Sequence, residues 1–338
     1  MNTETSPKDC MRLMQELINV MNVSPELLDF IKQFITNLQK SDNRQLICSA
    51  IDSLFAAECH FTKENLEQFK TKIKDIVPPK FLHDLEVPIE NIKLVDYFTV
   101  LGEGKFSVVI LGDIVKNNKY STVAAKMVKQ KFDGIFSEIS NMSKLSHLNI
   151  LPIVGCNVEN GIILTEVMEK GTLLNVCTVF QTTEKLYKYI FDVIKGLQYM
   201  HDNKFIHRDL HIENILVDKN ENCKIGDFGF AIQLGMSGEF INNEIPLQFY
   251  HAAPEVINKQ RFSYASDIYS FGLLIREVML CPEMIIRDVE NIKTLKKEKP
   301  KRCPGNLDNI SRRSFENNPN QRPSLKNFYS IIECLLNP

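Results

Sequence analysis

Through residues 1–80 the apolar positions recur at helical spacing. Ser24-Pro25-Glu26 reads as an N-cap followed by proline at the first helical position, after which Leu27, Leu28, Ile31, Phe34, Ile35 and Leu38 fall on one face. The pattern returns after Asp42 with Leu46, Ile47, Ala50, Ile51, Leu54 and Phe55, and again after Thr62 with Leu66, Phe69, Ile73 and Ile76, until Val77-Pro78-Pro79 ends it. Residues 1–80 therefore read as a helical domain or regulatory segment. Its apolar faces need a partner, either one another in a small bundle or a groove on the rest of the chain or on another protein, and the pattern leaves both open.

Further on the texture changes. Leu101-Gly102-Glu103-Gly104-Lys105-Phe106-Ser107-Val108-Val109 sets a glycine-rich turn between two apolar strands, and Val123-Ala124-Ala125-Lys126 reads as a further short strand. Helical spacing then resumes at Ile135, Ile139, Met142 and Leu145. The expected class is α+β behind an all-α segment.

Composition narrows the setting. A chain of 338 residues with 44% hydrophobic content exceeds one average domain and can bury a sizeable core. A net charge of −2 argues against non-specific nucleic-acid binding, and no apolar run approaches the ~20 residues that span a bilayer. Met1-Asn2-Thr3-Glu4-Thr5 has neither a basic nor an apolar targeting region. Nine cysteines without a Cys-x-x-Cys fit reduced thiols, hence a cytoplasmic or nuclear setting. The basic tract from Lys293 to Arg302 reads as a solvated loop, with nuclear localisation or acidic-substrate docking as the lesser alternative.

Candidate chemistry concentrates in His207-Arg208-Asp209-Leu210-His211-Ile212-Glu213-Asn214 and, after it, Asp227-Phe228-Gly229. Asp209 can accept a hydroxyl proton, and Asn214 and Asp227 offer the hard oxygen ligands that suit Mg²⁺ on a nucleotide's phosphates. Lys126 is a candidate cation for those phosphates, and Glu138, in the helical segment behind it, is its candidate partner. His147, His201, His207 and His251 read as packed core histidines, since no His-x-x-x-His or Cys-His pair suggests zinc.

In order and spacing this set resembles the protein kinase family, from about Ile89 to the C-terminus. Ala253-Pro254-Glu255 is similar to the motif that closes the family's activation loop, Asp267-Ile268-Tyr269-Ser270-Phe271-Gly272 to its buried anchoring helix, and Arg322 to the arginine that pairs with that Glu. Val87-Pro88-Ile89 and Thr165-Glu166-Val167-Met168 give the resemblance a tyrosine-kinase-like flavour.

What the resemblance implies is a bilobal fold, a small strand-rich lobe with one helix over about 89–168 and a larger helical lobe over about 169–338. ATP would lie between them under the 101–109 turn, where Leu101, Gly102, Glu103, Gly104, Lys105, Phe106, Ser107, Val108 and Val109 form its cover. Ala124, Leu216 and Val109 would line the adenine, Thr165 would be the gatekeeper, and the backbone of Glu166 and Met168 would bond the base. Lys126, held by Glu138, would orient the α- and β-phosphates; Asn214 and Asp227 would hold Mg²⁺; Asp209 would serve the hydroxyl of a protein substrate. Phe228 and His207 would pack together, and Arg208 goes in the family with activation-loop phosphorylation, for which Ser237 and Tyr250 supply the hydroxyls.

Three positions depart from the family. Ser107 replaces the third glycine, Gln248 stands where serine/threonine kinases usually have Thr, and His211 stands where they usually have Lys. Tyrosine kinases have Ala or Arg near that last position, so neither signature is met; His211 is expected at the γ-phosphate, as that Lys would be. Serine or threonine is the expected acceptor. Leu210-His211 with Asn214 also resembles the loop of aminoglycoside and choline phosphotransferases, and a pseudokinase scaffold is a third reading, although Lys126, Glu138, Asp209, Asn214 and Asp227 are all retained.

Overall fold

A computed structural model describes residues 84–94, 100–104, 107–116, 119–128, 135–235, 238–241, 251–259, 261–281 and 289–337. The helices expected within residues 1–80 lie outside the described residues, as do Lys105, Phe106, Ser237, Gln248 and Tyr250. The architecture below belongs to the unit Leu85–Pro338.

Its first part is an antiparallel sheet of β1 (Ile92–Leu94), β2 (Val100–Glu103), β3 (Ser107–Lys116), β4 (Lys119–Val128), β5 (Ile153–Asn157) and β6 (Ile162–Thr165). The order is β1-β3-β4-β6-β5, with β2 also paired to β3. β3 and β4 run in register from Ser107 opposite Val128 to Lys116 opposite Lys119. Alternation sets the faces: Ile110 and Ile114 of β3 and Val123 and Ala125 of β4 join one apolar cluster with Ile162 and Leu164. Ala124 and Lys126 therefore share the opposite face, because strand side chains alternate.

Between β4 and β5 lies α1 (Ile135–Ser143). Ile135, Ile139 and Met142 are buried at the expected spacing, and Leu145 is buried just past the helix end. Glu138, beside Ile139, is carried into the interior with them.

The second part is helical: α2 (Leu173–Cys177), α3 (Thr183–Asp202), α4 (Pro254–Lys259), α5 (Tyr264–Leu280), α6 (Val289–Lys297), α7 (Gly305–Arg313) and α8 (Leu325–Leu336). Three two-stranded ribbons accompany them, β7 (Phe205–Ile206) with β10 (Ile232–Gln233), β8 (Ile215–Val217) with β9 (Cys223–Ile225), and β11 (Glu239–Ile241) with β12 (Arg261–Ser263). A Ser263–Ser266 capping box starts α5, and every residue from Ser266 to Leu280 is buried, so the helix is a central pillar rather than a surface element. Gly272 lets α7 approach it: a Cβ there would stand 2.5 Å from the Ser314 Cβ.

The bilobal α+β expectation is borne out, whereas the basic tract is corrected. Its first half is the end of α6, where Ile292 and Leu295, three apart on one face, dock on the cluster that contains Tyr269 and Leu273. Lys296 lies over the Tyr269 and Phe315 rings at 4.7 and 5.4 Å, and Arg302 donates to the carbonyls of Gln181 at 2.8 Å and Cys281 at 2.6 Å. Long basic side chains here bury their stems while their heads find acceptors. Among the described residues no helix is long and apolar enough to cross a membrane.

Candidate active site

Three distant segments meet at Lys126. Its ammonium donates to Glu138 Oε1 at 2.6 Å and to Asp227 Oδ1 at 2.9 Å, partners 12 and 101 positions away in sequence. Burial works against the charged ammonium, but the two carboxylates outweigh it and hold its pKa above that of a free lysine. Burial likewise opposes ionisation of Asp227, and Lys126 reverses that, holding the carboxyl below its ordinary range. Asn141, one turn beyond Glu138, ties α1 to the segment after Asp227 by donating to the Ala231 carbonyl at 2.6 Å.

The loop before Asn214 hangs from Asp267. One carboxylate oxygen accepts the His207 amide at 2.9 Å and faces His201 Nε2 at 3.0 Å, while the other accepts the Arg208 amide at 3.0 Å. This clamp sustains positive φ at Arg208, 70°, and Asp227 adopts a similar conformation at 57°. His207 is fully buried, with Nε2 at 2.9 Å from the Gly226 carbonyl and its ring packed on Phe228. The bidentate pair of Arg322 with Glu255, 2.6 and 2.7 Å, joins the far end of the helical lobe to the start of α4.

Asp209 sits between two neighbours. Asn214 Nδ2 donates to its backbone carbonyl at 2.8 Å and to Oδ2 at 3.0 Å, and His211 Nε2 lies 3.5 Å from the same Oδ2. Burial would raise the Asp209 pKa, but the imidazole and the amide bring it below the ordinary carboxylate value. In return Asp209 overcomes the burial of His211 and raises the ring's pKa. His211 also stacks on His251 with ring centroids 5.4 Å apart, and His251 Nε2 is 3.4 Å from Glu277 Oε2. Read from sequence as a packed core histidine, His251 in fact adjoins the reacting loop.

The remaining expected positions fall as follows. Ala124 pairs with Thr165 across β4 and β6, and Val109 with Lys126 across β3 and β4. The Met168 carbonyl accepts the Gly171 amide at 2.9 Å, the Thr165 hydroxyl donates to the Glu166 carbonyl at 3.3 Å, and Leu216 bridges to Thr172. After Leu101, Gly102 and Glu103 the Gly104 amide donates to the Ser107 carbonyl at 2.9 Å, and Ser107 and Val108 begin β3 opposite Val128 and Met127. Among the described residues a Cβ at Gly102 would meet no atom within 4 Å, so their packing gives no reason for glycine there, whereas backbone approach to a phosphate would. Among the described residues Asn214 commits its amide nitrogen to Asp209, which leaves the oxygen for a hard cation, and Asp227 commits only Oδ1. A two-ligand oxygen set suits Mg²⁺, which takes its remaining ligands from phosphate and water.

Comparison with known proteins agrees with this geometry. Residues 95–332 match the model of the protein tyrosine and serine/threonine kinase family. A tyrosine-protein kinase receptor of Caenorhabditis elegans is 30% identical over 273 residues, 74% of this chain and 25% of the relative. The megakaryocyte-associated tyrosine-protein kinase of Rattus norvegicus is 30% identical over 252 residues, 70% of this chain and 51% of the relative. A probable serine/threonine-protein kinase of Dictyostelium discoideum is 31% identical over 259 residues, 70% of this chain and 15% of the relative. The chain thus spans at most about half the length of these relatives, and the family-model match over 95–332 includes Lys126, Asp209 and Asp227. By this match and by the residues it covers, the chain belongs to the protein tyrosine and serine/threonine kinase family.

Proposed function

We propose that this chain transfers the γ-phosphate of ATP to a hydroxyl of a protein substrate, serine or threonine in preference to tyrosine. The observation that carries the reading is the junction of Lys126 with Glu138 and Asp227, because it puts a fixed cation and a free carboxylate oxygen beside the Asp209–Asn214 pair. The packing of the described residues gives no reason for five ionised or amide side chains there; phosphoryl transfer does.

In this reading Lys126 grips the α- and β-phosphates while Glu138 fixes its direction. The backbone of Leu101–Gly104 and Ser107–Val109 covers the phosphates, and Val109, Ala124, Leu216, Thr165 and the backbone of Glu166 and Met168 receive the adenine. Asn214 and Asp227 would hold Mg²⁺, which supplies charge neutralisation on the phosphates when bound. Asp209, oriented by Asn214, accepts the hydroxyl proton. His211 stands beside Asp209 where serine/threonine kinases carry a lysine, and its protonated ring is the group that would take that lysine's place at an aliphatic hydroxyl.

The test is incubation of the purified chain with radiolabelled ATP, Mg²⁺ and generic protein substrates, followed by phosphoamino-acid analysis. Label on serine or threonine is expected. Label on tyrosine alone would overturn the acceptor assignment, and no label under any condition would overturn the reading itself.

A further inference from the structure

Arg208 lies directly before Asp209, and its side chain leaves the reacting loop for the β11–β12 ribbon. There the guanidinium carbon is 4.1 Å from the centre of the Phe262 ring and 5.1 Å from that of Phe240. The two phenylalanines are direct cross-strand partners, with centroids 6.3 Å apart. Nη1 donates to the Phe230 carbonyl at 3.2 Å, and Nε is sealed from solvent with no acceptor among the described residues. Burial pushes the Arg208 pKa down to about 10 against the pull of Asp267 and Asp209. A planar, weakly hydrated guanidinium tolerates such a site because it can stack on aromatic faces where water is excluded.

We infer that Phe240 and Phe262 are positioning residues for phosphoryl transfer, holding the Arg208 cation, and through it Asp209, with ring faces in place of a phosphate on the activation loop. The inference rests on the proposed kinase function and deepens it. The path is short and covalent beyond the guanidinium: ring faces to side chain, side chain to a backbone held at positive φ by Asp267, and that backbone to the next residue, Asp209. The rings are themselves fixed, Phe262 by burial and Phe240 by the three-pair register of the ribbon, flanked by Arg261 and Glu239 at 3.5 Å. The family resemblance leads one to expect a phosphate at Ser237 or Tyr250 to meet Arg208; the cage makes that phosphate dispensable.

The experiment uses the whole chain, phosphatase-treated and labelled with ¹⁵N-arginine, in five forms: wild type, Phe240→Leu, Phe240→Tyr, Arg208→Lys and the double variant Ser237→Ala/Tyr250→Phe. Wild type and the double variant are expected to turn over equally. Phe240→Leu, which keeps apolar bulk but no ring face, is expected to lose about tenfold in kcat at unchanged KM for ATP, and Phe240→Tyr to recover to within roughly twofold of wild type. The Nε–H resonance of Arg208, assigned by its absence in Arg208→Lys, should be ring-current shifted in wild type and lose that shift in Phe240→Leu. Turnover that requires phosphorylation, or a Phe240→Leu protein with wild-type kcat, overturns the inference while leaving the kinase reading intact. Absence of transfer by wild type in every phosphorylation state overturns the kinase reading and the positioning role with it, whatever the resonance does.

Discussion

Lys126 and Arg208 are both cations largely withdrawn from water, and their surroundings answer them in different ways. Lys126 is met by two carboxylates within 3 Å and its pKa rises. Arg208 is met by two phenyl faces and a backbone carbonyl, and its pKa falls. In the proposed function the difference follows from what each has to do. A cation that must hand itself over to phosphate needs partners that a metal and a nucleotide can re-engage, and carboxylates serve. A cation that only has to hold a loop is better served by partners with no charge to exchange.

The largest effect should come from discharging the Lys126 cluster. Asp227→Asn and Asp209→Asn are each expected to lower the transfer rate at least about 10³-fold. Calorimetry should separate them: Mg²⁺-dependent nucleotide binding weakens strongly in Asp227→Asn, which loses a metal ligand, and little in Asp209→Asn. Phosphate transfer that survives both substitutions would remove the catalytic assignment of this cluster.

Glu138→Gln asks whether Lys126 needs both carboxylates. The amide keeps the shape but not the charge, so the ammonium retains Asp227 alone and is drawn toward it. The Glu138 side chain is 6% exposed and that of Lys126 20%, so screening is modest. A rate loss of about 10–100-fold and a stability loss of up to about 3 kcal/mol by urea unfolding are expected. An unchanged rate would mean that Asp227 alone orients the lysine.

The same contrast explains what was legible in the chain. Lys126, Glu138, Asp209, Asn214, Asp227, Glu255 and Arg322 could be read from sequence because charged chemistry needs particular residue types at fixed places along the fold, and the fold's order preserves their spacing. Phe240 and Phe262 could not, since each sits in a three-residue strand, too short for periodicity to register, and a lone phenylalanine reads as core anywhere. His251 was hidden for a similar reason: its neighbour His211 lies forty residues upstream, and only the return of the chain before α4 brings the rings together. The basic tract misled because its composition masked the pair Ile292 and Leu295, whose burial decides where the segment goes.

On the other side of the comparison the effects are smaller. Phe262→Leu removes the nearer ring face from Arg208 and leaves a partly filled site, so a loss of about 1–2 kcal/mol is expected, or roughly 2–8 °C in Tm. In Arg208→Lys, where the stacked guanidinium is already gone, the same Phe262→Leu change should cost clearly less. Equal costs in the two backgrounds would show that Phe262 contributes packing alone.

The smallest effect concerns His211, a cation of a third kind whose charge depends on pH. Its ring faces the carboxylates of Asp209 at 3.5 Å and Glu213 at 3.8 Å and stacks on His251, which is itself backed by Glu277. Because Asp209 raises the imidazole pKa in the folded chain, the stabilising charge is fully present below the unfolded value of about 6.5 and is lost as pH rises through the higher folded value. If the protonated ring aids transfer, wild type should therefore slow by a few-fold, about 3–10, on going from pH ~6.5 to ~8.5. His211→Lys replaces this titrating charge with a permanent one, so its profile should stay flat over the same range and its rate at pH ~8.5 should exceed that of wild type. Parallel profiles for the two proteins would mean that the ring contributes shape at Asp209 and not charge.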